Sequence, residues 1–350
     1  MNNTEAKEAL DNLINKSRVH LYKPIQIAEI LYQKRLHPEM DLLDLESYRK
    51  VSKKWRDEVS IELLGRKCSS SSKFQDNLFE ENAIPPRVLY VLGEENNKRN
   101  GAVEAYIYSQ FDDKHAQLSR ALKYCTNSTP KDFYVKTFID SFWNEPGLRR
   151  SLDKIYEIIV YALFSTIINE LNLSVEITID ADKFDILKEF EDFTKKIMCI
   201  DIQNPTYRQD AKVYRVGVTN AADRGLDMYS NWGPAIQIKH LALDETLANS
   251  IVDSVSSDRI VIVCKSADKD IIVSLLTQIG WKAKIQSIVT EDDLIGWYEK
   301  ALRGRYSDEL GQPLLDLLEE EIGEEFPSVG NSTEIIDSRH YEKINDDFWR

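Results

Sequence analysis

Residues 259–265 read RIVIVCK. A run of strand length that is apolar on both faces must be covered on both, so it belongs inside a layered sheet. Alternating apolar residues over 212–218 and 235–241 predict two more strands, and 284–290 a further one. A short strand is expected over 174–179. Helical stretches lie between them. One spans about 152–171, with Ile155, Ile159, Leu163 and Ile167 on one face. Others cover about 183–197, 245–255 after the capping Asp244, and 269–278. The last begins at Thr290, with Glu291, Asp292 and Asp293 in its first turn. Strands alternating with helices define an α/β layer.

The first 145 residues read as mostly helical. Ile25, Ile27, Ile30 and Leu31, then Leu42, Leu43 and Leu45, recur at helical spacing. A helix over about 45–64 is predicted to end at Gly65. The expected organisation is a helical region over 1–145, an α/β core over 146–305 and an acidic helix and tail over 306–350. The longest apolar candidate, 158–168, is eleven residues with Thr and Ser inside it, short of the ~18 a membrane span needs. The start, MNNTEAKEAL, lacks the basic and apolar regions of a signal peptide. The four cysteines form no CxxC pair, which suits free thiols in a reducing cytoplasm. The five histidines are scattered, so neither a His-based metal site nor a Ser-His-Asp triad is legible.

A net charge of −14 argues against nucleic acid as a partner until its distribution is examined. Residues 306–350 hold thirteen acids and three bases; the other 305 residues hold 42 bases and 46 acids. Within them, 49–73 carries eight bases against three acids, enough for a local phosphate-binding surface or for an ordinary solvated helix face. The loop that follows contains Ser69–Ser72. Ser70 and Ser71 with Lys73 are candidates for phosphate contact; the alternative is a plain turn, with Ser72 capping a helix over 73–80.

Asp227 precedes a turn built on Asn231, Gly233 and Pro234, and Gln237-Ile238-Lys239 lies on the strand after it. Residues two apart on a strand share a face, so Gln237 and Lys239 point together while Ile238 points to the core. Pairing of the flanking segments would bring Asp227 beside them. A carboxylate, an amide oxygen and an ammonium on one sheet edge suit metal-assisted phosphodiester hydrolysis. Mg²⁺ takes oxygen ligands and is commonly held by one or two carboxylates, here Asp227, with Gln237 and the Ile238 carbonyl as neutral donors. Lys239 would stabilise charge developing on the phosphoryl group or act as base. Glu157, an acid inside an otherwise apolar helix face, is the candidate second carboxylate unless it is partly exposed.

The stretch over 223–240, DRGLDMYSNWGPAIQIKH, resembles the catalytic segment of PD-(D/E)xK nucleases, and more narrowly the HaeII family of type II restriction endonucleases. SSSSKFQDNLFEENAIPP (69–86), KIYEIIVYALF (154–164) and the RIVIVCK strand with its following elements add to the likeness, which covers most of 40–325. The resemblance implies an α+β fold, with a mostly helical N-terminal region that embraces DNA and a nuclease core of a mixed sheet flanked by helices. It implies a Mg²⁺-dependent enzyme cutting both strands of a short palindromic site, RGCGCY at the level of the family, as a homodimer in a prokaryotic cytoplasm. By match to the motif, Asp227 is the metal-binding aspartate, Lys239 the catalytic lysine and Glu157 the helix acid. Gln237 stands where Asp or Glu is usual. Asp223 is the alternative to Asp227. Arg224 is placed for the scissile phosphate, and His240 for DNA or for packing. Arg49, Lys53, Arg56, Arg208, Arg215 and Arg224 are the candidate base readers. Two competing readings are a DNA-binding protein with a degenerate nuclease site, motivated by Gln237, and a structure-specific repair nuclease.

Overall fold

A computed structural model describes residues 2–68, 77–216, 226–268, 284–327 and 332–341. They form two compact units: one from residues up to 156 and those after 318, the other from 157–216 and 226–318.

The first unit is helical. It holds α1 (Asn3–Lys16), α2 (Tyr22–Leu36), α3 (Val51–Leu64), α4 (Pro86–Lys98), α5 (Ala102–Thr126) and α6 (Val135–Asn144). Eight consecutive residues of α2, Pro24 to Leu31, are buried, as expected of a helix enclosed by others. Two of the eight are Gln26 and Glu29, and each is satisfied. Gln26 donates to Ser52 Oγ (2.9 Å) and accepts from Arg56 (3.1 Å). Glu29 accepts from Tyr108 (2.5 Å) and Arg339 (2.7 Å). The expected helix over 45–64 starts later, at Val51. Asp44 instead caps a single 3₁₀ turn by accepting from the Glu46 N–H, and the buried Tyr48 donates to the Leu42 carbonyl. Its end is as expected: Gly65 closes α3 at φ +66.

Two histidines of this unit make it sensitive to acid. The Arg66 guanidinium, which can only donate, lies 2.7 Å from His20 Nε2 and so fixes the ring as an acceptor. Burial first, then Arg66, lowers the His20 pKa from 6.5 to about 3, and burial lowers that of His115 to about 4. The unfolded chain takes up these protons as pH falls through 6.5, whereas the folded chain does not until far lower. Stability is therefore full above pH 6.5 and falls below it by about 1.4 kcal/mol per pH unit for each ring. Urea midpoints should drop between pH 7.5 and 5.5, and a flat profile would contradict this assignment.

Helix α7 (Leu152–Glu170) supplies residues to both units. The second unit continues with β1 (Ser174–Thr178), α8 (Phe184–Glu189), α9 (Glu191–Met198), β2 (Thr206–Asp210), β3 (Val213–Arg215), β4 (Met228–Ser230), β5 (Ala235–Leu243), α10 (Glu245–Ser254), β6 (Ile260–Ala267), β7 (Ile285–Thr290) and α11 (Glu291–Arg303). Helix α12 (Ser307–Glu325) again contributes to both units, and α13 (Thr333–Ser338) belongs to the first. The helix expected over 183–197 is two helices. The backbone leaves the helical basin at Phe190 (φ −110, ψ 25), and Glu191 and Asp192 favour a fresh N-terminus there. The helices expected over 73–80 and 269–278 lie outside or partly outside the described residues.

Five strands form a mixed sheet in the order β3-β4-β5-β6-β7, antiparallel up to β5 and parallel beyond it. This agrees with the α+β class expected from the sequence. Strand β6, the RIVIVCK segment, lies inside the sheet, with Ile260, Ile262, Val263 and Cys264 fully buried. One face packs Ala235, Ile260, Ile262 and Cys264 against Ala248, Ile251 and Val252 of α10. In α11, Tyr298 donates to the Ile159 carbonyl of α7 (2.9 Å), and Trp297 packs on Phe164. Strands β1 and β2 pair antiparallel as a separate two-stranded ribbon. Among the described residues no helix is long and apolar enough to cross a membrane.

Candidate active site

The site is set by the β4–β5 hairpin. Its turn is held at both ends: Asn231 accepts from the Lys212 N–H (2.9 Å) and donates to the Asp210 carbonyl (2.8 Å). Gly233 adopts φ +121 and lies so close to the Arg259 guanidinium that any side chain would meet it. Arg259 in turn donates to the Trp232 carbonyl (2.6 Å). This turn fixes the register Met228↔Ile236 and Tyr229↔Ala235. One step further along, Asp227 falls opposite Gln237. Its carbonyl is tied down by the Val216 N–H (2.9 Å), which prolongs the β3–β4 pairing by one residue.

Three donors converge on one carboxylate oxygen. Asp227 Oδ2 accepts from the Ile238 N–H at 2.7 Å, from Lys239 Nζ at 3.3 Å and from the Gln237 side-chain amide. Asp227, Gln237, Ile238 and Lys239 are thus brought together by adjoining strands. Among the described residues β4 pairs with β5 only as far as Ile236, and beyond it the Asp227 carboxylate accepts the Ile238 N–H in the place of a strand partner. Because a residue's N–H and C=O leave a strand on the same edge, the Ile238 carbonyl faces this side too. Just past Lys239 the β5–β6 register shifts, an irregularity of the kind that re-aims side chains next to active sites.

Exposure is graded across the group. Gln237 is 2% exposed, the Asp227 side chain 14% and the Lys239 side chain 37%. The ammonium therefore stands at the mouth of the site and the amide at its floor. Cys264, opposite Lys239 on β6, is buried; desolvation first and then Asp293 push its thiol up to about 11, so it stays uncharged beside the site.

Two oxygens suit a divalent cation. Among the described residues neither the buried Gln237 Oε1 nor Asp227 Oδ1 has a hydrogen-bond partner. A buried amide oxygen without a partner costs free energy, and a hard cation is one way to satisfy it. The two ends of the amide exchange places on a half-turn, so the same side chain can direct oxygen toward the carboxylate. Among the described residues no three His, Cys, Asp or Glu side chains gather as a metal cluster. The donor set is one carboxylate with neutral oxygens, which fits an ion that retains several waters.

The remaining candidates are placed differently. Glu157 is buried on α7 (6% exposed). His240 is buried, with Nε2 2.9 Å from the equally buried Glu291 at the start of α11. Nothing local announces that partnership; the only signal is an acid in the first turn of a helix that follows a strand. Arg56 is 1% exposed and bonded to Asp57 (2.6 Å) and Gln26, so here it is an internal strut of the helical unit and not a surface cation. Ser70, Ser71, Lys73, Asp223 and Arg224 lie outside the described residues.

Comparison with known proteins gives the setting. The type II restriction enzyme HaeII of Haemophilus aegyptius is 56% identical over 336 residues, 96% of this chain and 94% of that enzyme. The type II restriction enzyme NgoBI of Neisseria gonorrhoeae is 56% identical over 333 residues, 95% of this chain and 94% of that enzyme. No solved structure matches the chain significantly. The profile of the HaeII restriction endonucleases matches residues 6–341, a span that takes in both units and the whole Asp227–Lys239 hairpin, and the chain belongs to the HaeII restriction endonuclease family.

Proposed function

We propose that this type II restriction endonuclease hydrolyses both strands of a short palindromic DNA site at the Asp227–Lys239 pair, using Mg²⁺. Enzymes of this class generally use a divalent metal; the choice of Mg²⁺ rests on the all-oxygen donor set. Asp227 Oδ1, Gln237 Oε1 and the Ile238 carbonyl would hold the ion, with Glu157 as the further carboxylate. Bound there, it supplies Lewis acidity toward a phosphoryl oxygen and lowers the pKa of a water. The chain does the rest. Asp227 Oδ2, already accepting from a main-chain N–H, anchors the Lys239 ammonium. The ammonium faces outward, where it can meet the extra negative charge that builds on the phosphoryl oxygens as a water oxygen bonds to phosphorus and the ester P–O bond breaks. Gln237 contributes oxygen without charge, so the hairpin itself brings one fixed negative ligand where two are usual in the superfamily, and millimolar Mg²⁺ is the expected requirement.

Several parts of the reading come from the family resemblance. These are the palindromic target, RGCGCY, action as a homodimer in a prokaryotic cytoplasm, and phosphate contacts by Ser70, Ser71, Lys73 and Arg224. The observation that carries the hydrolytic assignment is the convergence of the Lys239 ammonium and the Ile238 N–H on one Asp227 oxygen beside a buried amide oxygen without a partner. A plasmid digest tests it. With Mg²⁺ the expected product is a set of discrete fragments whose ends map to one site, and none should form with EDTA. Intact plasmid at every Mg²⁺ and Mn²⁺ concentration, or nicking that follows DNA structure, would overturn it.

A further inference from the structure

Nine of the twenty exposed large apolar side chains among the described residues fall within residues 171–202. This segment is strand β1 of the β1–β2 ribbon and the two helices that lead from it toward β2. Neither part is accounted for by the chain's own packing. The ribbon is exposed or half-exposed at every position, and a lone two-stranded ribbon is marginal in water. Helix α9 has eight residues, too few to persist alone, and buries none of them. Yet Phe190, Phe193 and Ile197 recur at helical spacing and stand 51, 50 and 67% exposed. Ile186 on α8 and Ile177 on β1 are exposed as well. An amphipathic helix with its apolar stripe in solvent calls for a cover.

We infer that this segment is the surface through which two copies of the chain pair. The inference deepens the reading of paired action given above and rests on it. DNA is disfavoured as the occupant, because residues 171–202 hold eight acids and four bases and would repel phosphate. A second copy fits the charge pattern. In α9 the acids (Glu191, Asp192) occupy the first turn and the lysines (Lys195, Lys196) the last. Two such helices crossing antiparallel about a two-fold axis set the acids of each against the lysines of the other, the self-complementarity an isologous interface requires. The area is sufficient too. At roughly 100 Å² apiece, nine such side chains offer at most about 900 Å² per protomer, comparable with the ~800 Å² of a standard interface. Two copies are also what two scissile strands need, since each chain brings one Asp227–Lys239 pair.

The test is sedimentation of the full chain, free and with duplex DNA carrying the site. The native enzyme and an exposed-site control, Leu43→Asp, should run as dimers, twice 40.5 kDa. Phe193→Asp/Ile197→Asp should run as a monomer with an unchanged circular dichroism spectrum, and its double-strand cleavage at nanomolar enzyme should fall at least about tenfold. Should that variant fold poorly, Lys195→Glu/Lys196→Glu alters only surface charge. It should weaken pairing at least about tenfold and regain it when mixed with Glu191→Lys/Asp192→Lys. A folded Phe193→Asp/Ile197→Asp variant that stays dimeric overturns this surface while leaving paired action intact. A native enzyme that is monomeric with and without DNA overturns both. Loss of DNA affinity with the dimer preserved would make the segment a DNA contact and also overturn the inference.

Discussion

Lys239→Ala should cleave at least about 10²–10³-fold more slowly than the native enzyme and bind its site about as tightly. The rate loss is that expected when one charged donor is removed from developing phosphoryl charge. Binding is spared because most of the affinity of a protein for DNA comes from many phosphate contacts, of which this would be one. The fold is spared as well. The Lys239 end of the Lys239–Asp227 pair reaches solvent, where such pairs contribute about 0–1 kcal/mol, and Asp227 Oδ2 keeps its main-chain donor. Single-turnover cleavage and a gel-shift titration on the same duplex separate the two quantities. Full activity in the variant would remove Lys239 from the chemistry.

Asp227→Asn should lose cleavage to a similar degree but through a different quantity. The asparagine oxygen can still accept from the Ile238 N–H and from Lys239, so the hairpin register should persist and the melting temperature should move little. What disappears is the one negative charge that the hairpin brings to the donor set. With Gln237 supplying no second one and Glu157 left as the sole carboxylate, the divalent ion should bind too weakly to measure. Titration calorimetry with Mg²⁺ on the enzyme–DNA complex should show a heat of binding for the native protein and for Lys239→Ala, and none for Asp227→Asn. If Asp227→Asn binds the ion as the native protein does, the ligand lies elsewhere.

How much of this could be read from residues alone depended on range. The RIVIVCK run marked an interior strand because both of its faces are apolar, and β6 is that strand. Asp244 and Thr290 marked helix starts because a cap acts within three residues, and both accept from main-chain N–H groups where expected. Period-two alternation put Gln237 and Lys239 on one face, and both reach the same oxygen. The missing pieces depend on tertiary partners. Strand β4 is three residues long, too short for any periodicity, although it is what sets Asp227 opposite Gln237. Strand β2 pairs with β1 across an intervening pair of helices. The basic stretch around α3 gave no sign that Arg56 turns inward, because its partner Gln26 is thirty residues away. His240 meets Glu291 across fifty-one residues for the same reason.

The most direct test is anomalous scattering from Mn²⁺ in crystals of the enzyme bound to its cognate duplex, with Lys239→Ala used to keep the substrate whole. A manganese peak within ~2.3 Å of an Asp227 carboxylate oxygen, with the Gln237 amide oxygen turned to the same ion and a DNA phosphate beside it, is the predicted result. A peak bound by other residues, with Asp227 still hydrogen-bonded as in the free chain, would contradict the account.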